Sequence, residues 1–156
     1  MDETVNTLTV RACYEKFGSG DISGLLEMFA EDIDWIIPDI ENAPFAGSWH
    51  GRESVREYFS VLARSEEITD FEPREFIAQG DKVVILGRST STVRATGRHY
   101  STEWVHVCTL KNGKMTDFHE FFDTAAAMRA FQTTTSTFSF IGEEVVSLPL
   151  KSRSQN

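Results

Sequence analysis

A chain of 156 residues, 40% hydrophobic and 25% charged, has the length of one domain and the composition of an ordinary globular fold. Its formal net charge of −9 leaves no basic stripe to grip phosphate, since the only short basic cluster is Lys151 with Arg153; a nucleic-acid partner is not expected, nor an anionic membrane. Cys13 and Cys108 lie far apart without metal-type spacing, the N-terminus is acidic and polar (Asp2, Glu3, Thr4), and no apolar run reaches membrane length, so reduced thiols and a cytoplasmic location are expected.

Val5, Leu8, Ala12 and the run from Tyr14 to Phe17 recur at near-helical spacing and stop at Gly18-Ser19-Gly20, which predicts a first helix of about three turns. Asp21 then caps a short helix whose Ile22, Leu25, Leu26 and Phe29 form one buried stripe. Ile33, Trp35 and Ile37 alternate ahead of Pro38 and predict a strand with its odd positions inward. The stretch through Pro44, Gly47, Trp49 and Gly51 reads as a loop. Beyond Glu53, Val55, Tyr58, Phe59 and Leu62 give a third helix ending near Arg64-Ser65.

Four strand-like stretches follow: Ile68 to Ala78, with Pro73 marking an edge or bulge, Lys82 to Val93, Arg98 to Leu110, and Lys114 to Phe122. Asp123 or Thr124 caps a last helix through Met128 and Phe131. Helices first and strands after predict an α+β domain over residues 1–132, a curved antiparallel sheet around N-terminal helices, with a Ser/Thr-rich tail over 133–156.

Asn112-Gly113 between β-rich runs predicts a two-residue type I′ turn, which sets the register of the last two strands. With Lys111 opposite Lys114, Val107 faces Phe118, Val105 faces Glu120 and Glu103 faces Phe122 on one side of the sheet. The other side carries Trp104 opposite Phe121, His106 opposite His119 and Cys108 opposite Asp117. Neither side is strongly polar, which predicts that both are buried, the second in a homodimer through Trp104, His106, His119 and Phe121.

The order helix, Gly-Ser-Gly-Asp, helix, Trp35 to Pro38 strand, Gly47-x-Trp49-x-Gly51 leading to Val55 and Phe59, then Asn112-Gly113-Lys114 and Glu120-Phe121-Phe122-Asp123, resembles the nuclear-transport-factor-2-like superfamily over residues 5 to 132, and within it the SnoaL-like branch. The resemblance implies a cone-shaped α+β barrel, an apolar pocket between helices and sheet, and frequent homodimers. It spans steroid isomerases, polyketide cyclases, dehydratases, epoxide hydrolases and non-catalytic binding domains, so fold alone names no reaction. The ketosteroid isomerase tyrosine and aspartates would fall at Cys13, Ile37 and Val105, which disfavours that activity; Tyr14 is one position away, and Asp39 would need a register shift. The epoxide hydrolases use an Asp-Arg-Asp arrangement, and Arg88 and Arg94 have no aspartate partners at matching inward positions. The phenazine-biosynthesis A/B type is similar at His119-Glu120-Phe121-Phe122, which implies an acid-base role for Glu120.

Glu120 among Val105, Phe118 and Phe122 is expected to be desolvated and suited to moving a proton, with Glu103 sharing that proton and Tyr14 polarising an oxygen. The bland reading makes Glu120 a structural partner of Tyr14 or Arg88 and Tyr14 a core residue with a satisfied hydroxyl. Trp35, Ile37, Phe59, Leu62, Val105, Val107, Phe118 and Phe122 are the expected wall against a small hydrophobic molecule. A metal on His106, His119, Cys108 and Asp117 is the weaker alternative, and the expectation is no metal and no cofactor. Two functions compete: a cofactor-free isomerase, cyclase or dehydratase, and a binding or dimerisation module whose pocket takes a ligand or the chain's own Phe138, Phe140, Ile141, Val145 and Val146.

Overall fold

The computed structural model describes residues 2–133, so the tail's Phe138, Phe140, Ile141, Val145 and Val146 lie outside the described residues. In chain order the elements are α1 (Glu3–Gly18), α2 (Ile22–Glu27), β1 (Phe29–Ile37), β2 (Gly47–His50), α3 (Arg52–Ser65), β3 (Glu66–Gln79), β4 (Lys82–Val93), β5 (His99–Lys111), β6 (Lys114–Phe122) and α4 (Thr124–Phe131). Side-chain caps set three helix starts: Asp2 accepts from the Thr4 and Val5 amides, Asp21 from Gly24, and Asp123 from Ala126. Gly20 turns the chain between α1 and α2 at φ 79°, where a Cβ would be strained. Among the described residues no helix is long and apolar enough to cross a membrane.

One curved, unclosed sheet of six strands holds the order β2-β1-β6-β5-β4-β3, with helices packed on its concave side, so the α+β class stands. Two features depart from the expected sheet. Gly47–His50 is not loop but an edge strand, pairing antiparallel with Asp34–Ile37. And β1 runs parallel to β6, Trp35 against Phe118, so the sheet is mixed. At the far edge β3 carries Pro73 at a register shift, where its missing N–H does least harm.

The face that α1 buries also differs from the expected stripe. Asn6, Val10 and Cys13 are buried, while Val5 and Leu8 stand 51% and 60% exposed. Both sets fit a helical period; the choice goes to the one whose polar member finds a partner, since the Asn6 amide donates to the Gly80 carbonyl at 3.5 Å in the turn between β3 and β4.

The decisive departure lies in the last hairpin. Lys111 pairs with Lys114 and Leu110 with Met115, as the Asn112-Gly113 turn predicts, but Thr109 then pairs with Asp117 and Thr116 is left as an unpaired extra residue. Its hydroxyl turns back onto the Thr109 carbonyl at 3.3 Å and the Asp117 carboxylate at 2.8 Å. Beyond this bulge every pair is displaced by one: His106 faces Glu120, Trp104 faces Phe122 and Cys108 faces Phe118. Trp104, His106 and Cys108 are therefore buried on the concave side. Glu103, Val105 and Val107 lie on the convex side, with His119 and Phe121. The expected outer patch thus keeps His119 and Phe121 and loses Trp104 and His106. The four residues weighed as metal ligands are likewise divided, His106 and Cys108 inward, His119 and Asp117 outward.

Candidate active site

The concave face of the sheet and the helices α1 and α3 enclose a cavity of about 100 Å³. Aromatic side chains make nearly half of its wall. Trp35 stacks on Phe118 with ring centroids 3.7 Å apart, and Tyr58, Phe59 and Leu62 of α3 and Phe17 of α1 continue the apolar lining. Of the expected wall, Trp35, Phe59, Leu62, Phe118 and Phe122 line the cavity; Ile37 is buried in the core beside it, and Val105 and Val107 are excluded by the register.

A polar chain crosses this wall. The Tyr14 hydroxyl lies 2.6 Å from His106 Nδ1, and His106 Nε2 lies 3.1 Å from Glu120 Oε2. Burial, then the neighbouring Cys108, Glu120 and Cys13, push the Tyr14 hydroxyl well above its ordinary pKa, so the phenol keeps its proton. Because the Glu120 carboxylate can only accept, the neutral-imidazole tautomer that fits both contacts carries its proton on Nε2 and takes the phenol's hydrogen bond at Nδ1. The imidazole cannot swing away: Trp104 stacks on it at 3.9 Å and Phe118 closes at 4.6 Å, leaving it 4% exposed. Trp104 can lie there because Gly87 of β4 faces it; a Cβ at Gly87 would run into the indole and stand 2.7 Å from the Glu72 carbonyl. Glu120 is the chain's open end, with one oxygen held by His106 and the other without a protein partner among the described residues.

A second polar group sits elsewhere in the same wall. Glu66, where α3 hands over to β3, accepts from the Tyr100 hydroxyl at 2.6 Å and the Ser91 hydroxyl at 3.2 Å. Burial pushes its pKa up, its two hydroxyl partners pull it down, and the charge of Glu120 pushes it up again. Nearby, burial pushes the Tyr58 hydroxyl well above its ordinary pKa, so the phenol keeps its proton, and the buried Trp35 indole N–H, outside full hydrogen-bond geometry, lies close enough to that hydroxyl to pull the other way.

The structure thus joins Tyr14 and Glu120 through a residue the hairpin count sent outward, and removes Glu103, which is exposed on the convex face. Arg88, the other structural partner considered for Glu120, pairs instead with Asp70 at 3.0 Å. Sequence reasoning put His106 on the wrong face and missed Glu66. Composition held a signal for the first: Trp104, Cys108 and Leu110 are a better core set than Glu103, Val105 and Thr109. Among the described residues no three of His, Cys, Asp or Glu are grouped to hold a metal ion.

Comparison with known proteins agrees with this architecture. No curated protein matches the chain. Among solved structures, an NTF2-like protein from Burkholderia xenovorans LB400 is 35% identical with a TM-score of 0.77, covering 85% of this chain and 99% of its own. An NTF2-like protein of unknown function from Burkholderia pseudomallei K96243 is 32% identical, TM-score 0.76, over 85% of this chain and 100% of its own. TerC, co-crystallised with polyporic acid, is 28% identical, TM-score 0.71, over 83% and 99%. The family model for the SnoaL-like domain matches residues 10–118, from the helix that carries Tyr14 to the strand that carries Glu120. By that match and by the fold, this chain belongs to the SnoaL-like family of the nuclear-transport-factor-2-like superfamily.

Proposed function

We propose that this protein is an acid-base enzyme, an isomerase, cyclase or dehydratase, acting on a small hydrophobic molecule with an acidic C–H next to a carbonyl. The observation that carries the reading is the Tyr14–His106–Glu120 chain ending on an open carboxylate oxygen inside an aromatic wall. Glu120 takes the proton from carbon. His106 donates to the carboxylate before transfer and fixes its direction, and Tyr14 fixes the tautomer of His106. The Tyr58 hydroxyl, with the Trp35 N–H directed toward it, is the donor for the oxygen on which charge develops. A relative co-crystallised with polyporic acid supports a cavity of this kind that admits an organic ligand. The proposal includes a homodimer through the convex face around His119 and the 47%-exposed Phe121.

The test is hydrogen-deuterium exchange by NMR on a panel of apolar enolisable ketones, 2-tetralone among them, with binding followed by calorimetry. The wild-type protein should accelerate exchange, and Glu120→Gln should lose about 10²-fold or more of that acceleration while still binding. Binding with no exchange, equal exchange by the two proteins, or no binding by any ketone overturns the reading.

A further inference from the structure

The mechanism above leaves Glu66 without a task, yet the group is costly to keep. It is 6% exposed, its only hydrogen-bond partners are the two hydroxyls of Tyr100 and Ser91, and no Lys, Arg or His among the described residues pairs with it. A carboxyl in an apolar wall without a cation destabilises a fold, and a purely structural site would be better served by an amide or an apolar side chain. Each of its oxygens keeps a lone pair beyond the bond it accepts, so Glu66 has capacity for one more donor. The cavity lining as a whole holds the carboxyl groups of Glu66 and Glu120 and no lysine or arginine. The two carboxyls sense each other's charge, and an anionic ligand would meet both with nothing to balance it.

We propose that Glu66, with Tyr100 and Ser91, forms a second binding pole that accepts a hydroxyl of the substrate, so that the molecule turned over at Glu120 is a neutral apolar compound with oxygen at both ends. This deepens the function proposed above and rests on it for the end that reacts. One end of the ligand presents its carbonyl and adjacent C–H to Glu120, and the other presents a hydroxyl to Glu66. The Tyr58 hydroxyl, which senses the charge of both carboxyls, is a further donor in the same wall. A ligand lacking the distal hydroxyl leaves Glu66 with its capacity unused, whereas a distal carboxylate opposes it directly.

Calorimetry on a matched series separates this inference from the reaction itself. The probes are 2-tetralone and its 6-hydroxy and 6-carboxy derivatives, titrated at pH 7.5 into the wild-type protein. The 6-hydroxy compound should bind about 10-fold tighter than the parent, and the 6-carboxy compound about 10-fold weaker or not at all. Glu66→Ala should erase the hydroxyl preference, and Glu66→Gln, which keeps the side chain's shape, should bring the 6-carboxy compound close to the parent. Glu120→Gln should keep the hydroxyl preference. Equal binding of parent and 6-hydroxy compound by the wild-type protein overturns the second pole, as does a preference that survives Glu66→Ala. Exchange of 2-tetralone without a hydroxyl preference sinks Glu66 alone, and a hydroxyl preference without exchange sinks the role of Glu120 alone.

Discussion

Replacing Tyr14 by Phe deletes one oxygen and strands one nitrogen. His106 Nδ1 loses the only partner it has among the described residues, at 2.6 Å, and the ring, 4% exposed between Trp104 and Phe118, is held away from bulk solvent. A buried acceptor left unsatisfied costs about 1–3 kcal/mol, and the shared apolar ring keeps the packing unchanged, so about 2 kcal/mol is the central expectation. For a domain of this size each kcal/mol moves the melting temperature by roughly 3–5 °C, which puts Tyr14→Phe about 6–10 °C below wild type. Differential scanning calorimetry at pH 7 reads this directly. A cycle with His106→Phe isolates the bond, because the Tyr14→Phe cost should largely vanish once the imidazole is gone. If Tyr14→Phe lies within about 0.3 kcal/mol of wild type, or costs the same in both backgrounds, the hydroxyl does not hold the ring and the tautomer argument fails.

Two further outcomes follow from the same wall. The folded-state pKa of Glu66 is raised, so its ionisation opposes folding: its contribution is fully present below the unfolded carboxyl value and is lost as pH rises through the folded one. Melting curves of Glu66→Gln and wild type should therefore differ by a constant at low pH and move apart in favour of Gln from about pH 4.5 upward, while a pH-independent difference would refute the assignment. Gly87→Ala drives a Cβ into the Trp104 ring, so it should cost about 1–3 kcal/mol and shift tryptophan emission by displacing the ring that stacks on His106. A variant with unchanged melting and emission would show that Trp104 does not depend on that missing side chain.

Much of the fold was legible because local signals agreed with tertiary ones. Asp21, Asp123, the glycines after α1 and the clean stripe of Val55, Tyr58 and Phe59 each marked a boundary or face that the structure keeps. Strand β2 was not legible, since four residues with Gly47 at their head carry no alternation of their own and pair only because β1 offers an edge. For the site, the turn fixed the two pairs nearest it, and the inward face of β6 with Phe118, Glu120 and Phe122 was read correctly. The opposing face of β5 was read inverted. A single unpaired threonine reverses parity, and no composition rule places a bulge at Thr116 within Lys114 to Phe122. Glu66 was missed for a different reason: its partners Ser91 and Tyr100 lie 25 and 34 positions away on other strands, so nothing local distinguishes it from the exposed Glu67 beside it.

Because Thr116 stands outside the ladder, the β5–β6 hairpin can be counted as if that residue were absent. Pairs from Leu110–Met115 through Thr109–Asp117 to His106–Glu120 then run without interruption. The tip beyond the bulge is tied elsewhere, Lys114 Nζ to the Glu27 carbonyl at 2.6 Å and the Met115 amide to that of Met28 at 3.0 Å. A homologous chain one residue shorter at this point would present the same side chains to its cavity. An alignment of such sequences opens its gap at Thr116, for a gap placed in the Asn112-Gly113 turn would shift Lys114 and Met115 by one position and set the cavity-lining Met115 against the wrong neighbour.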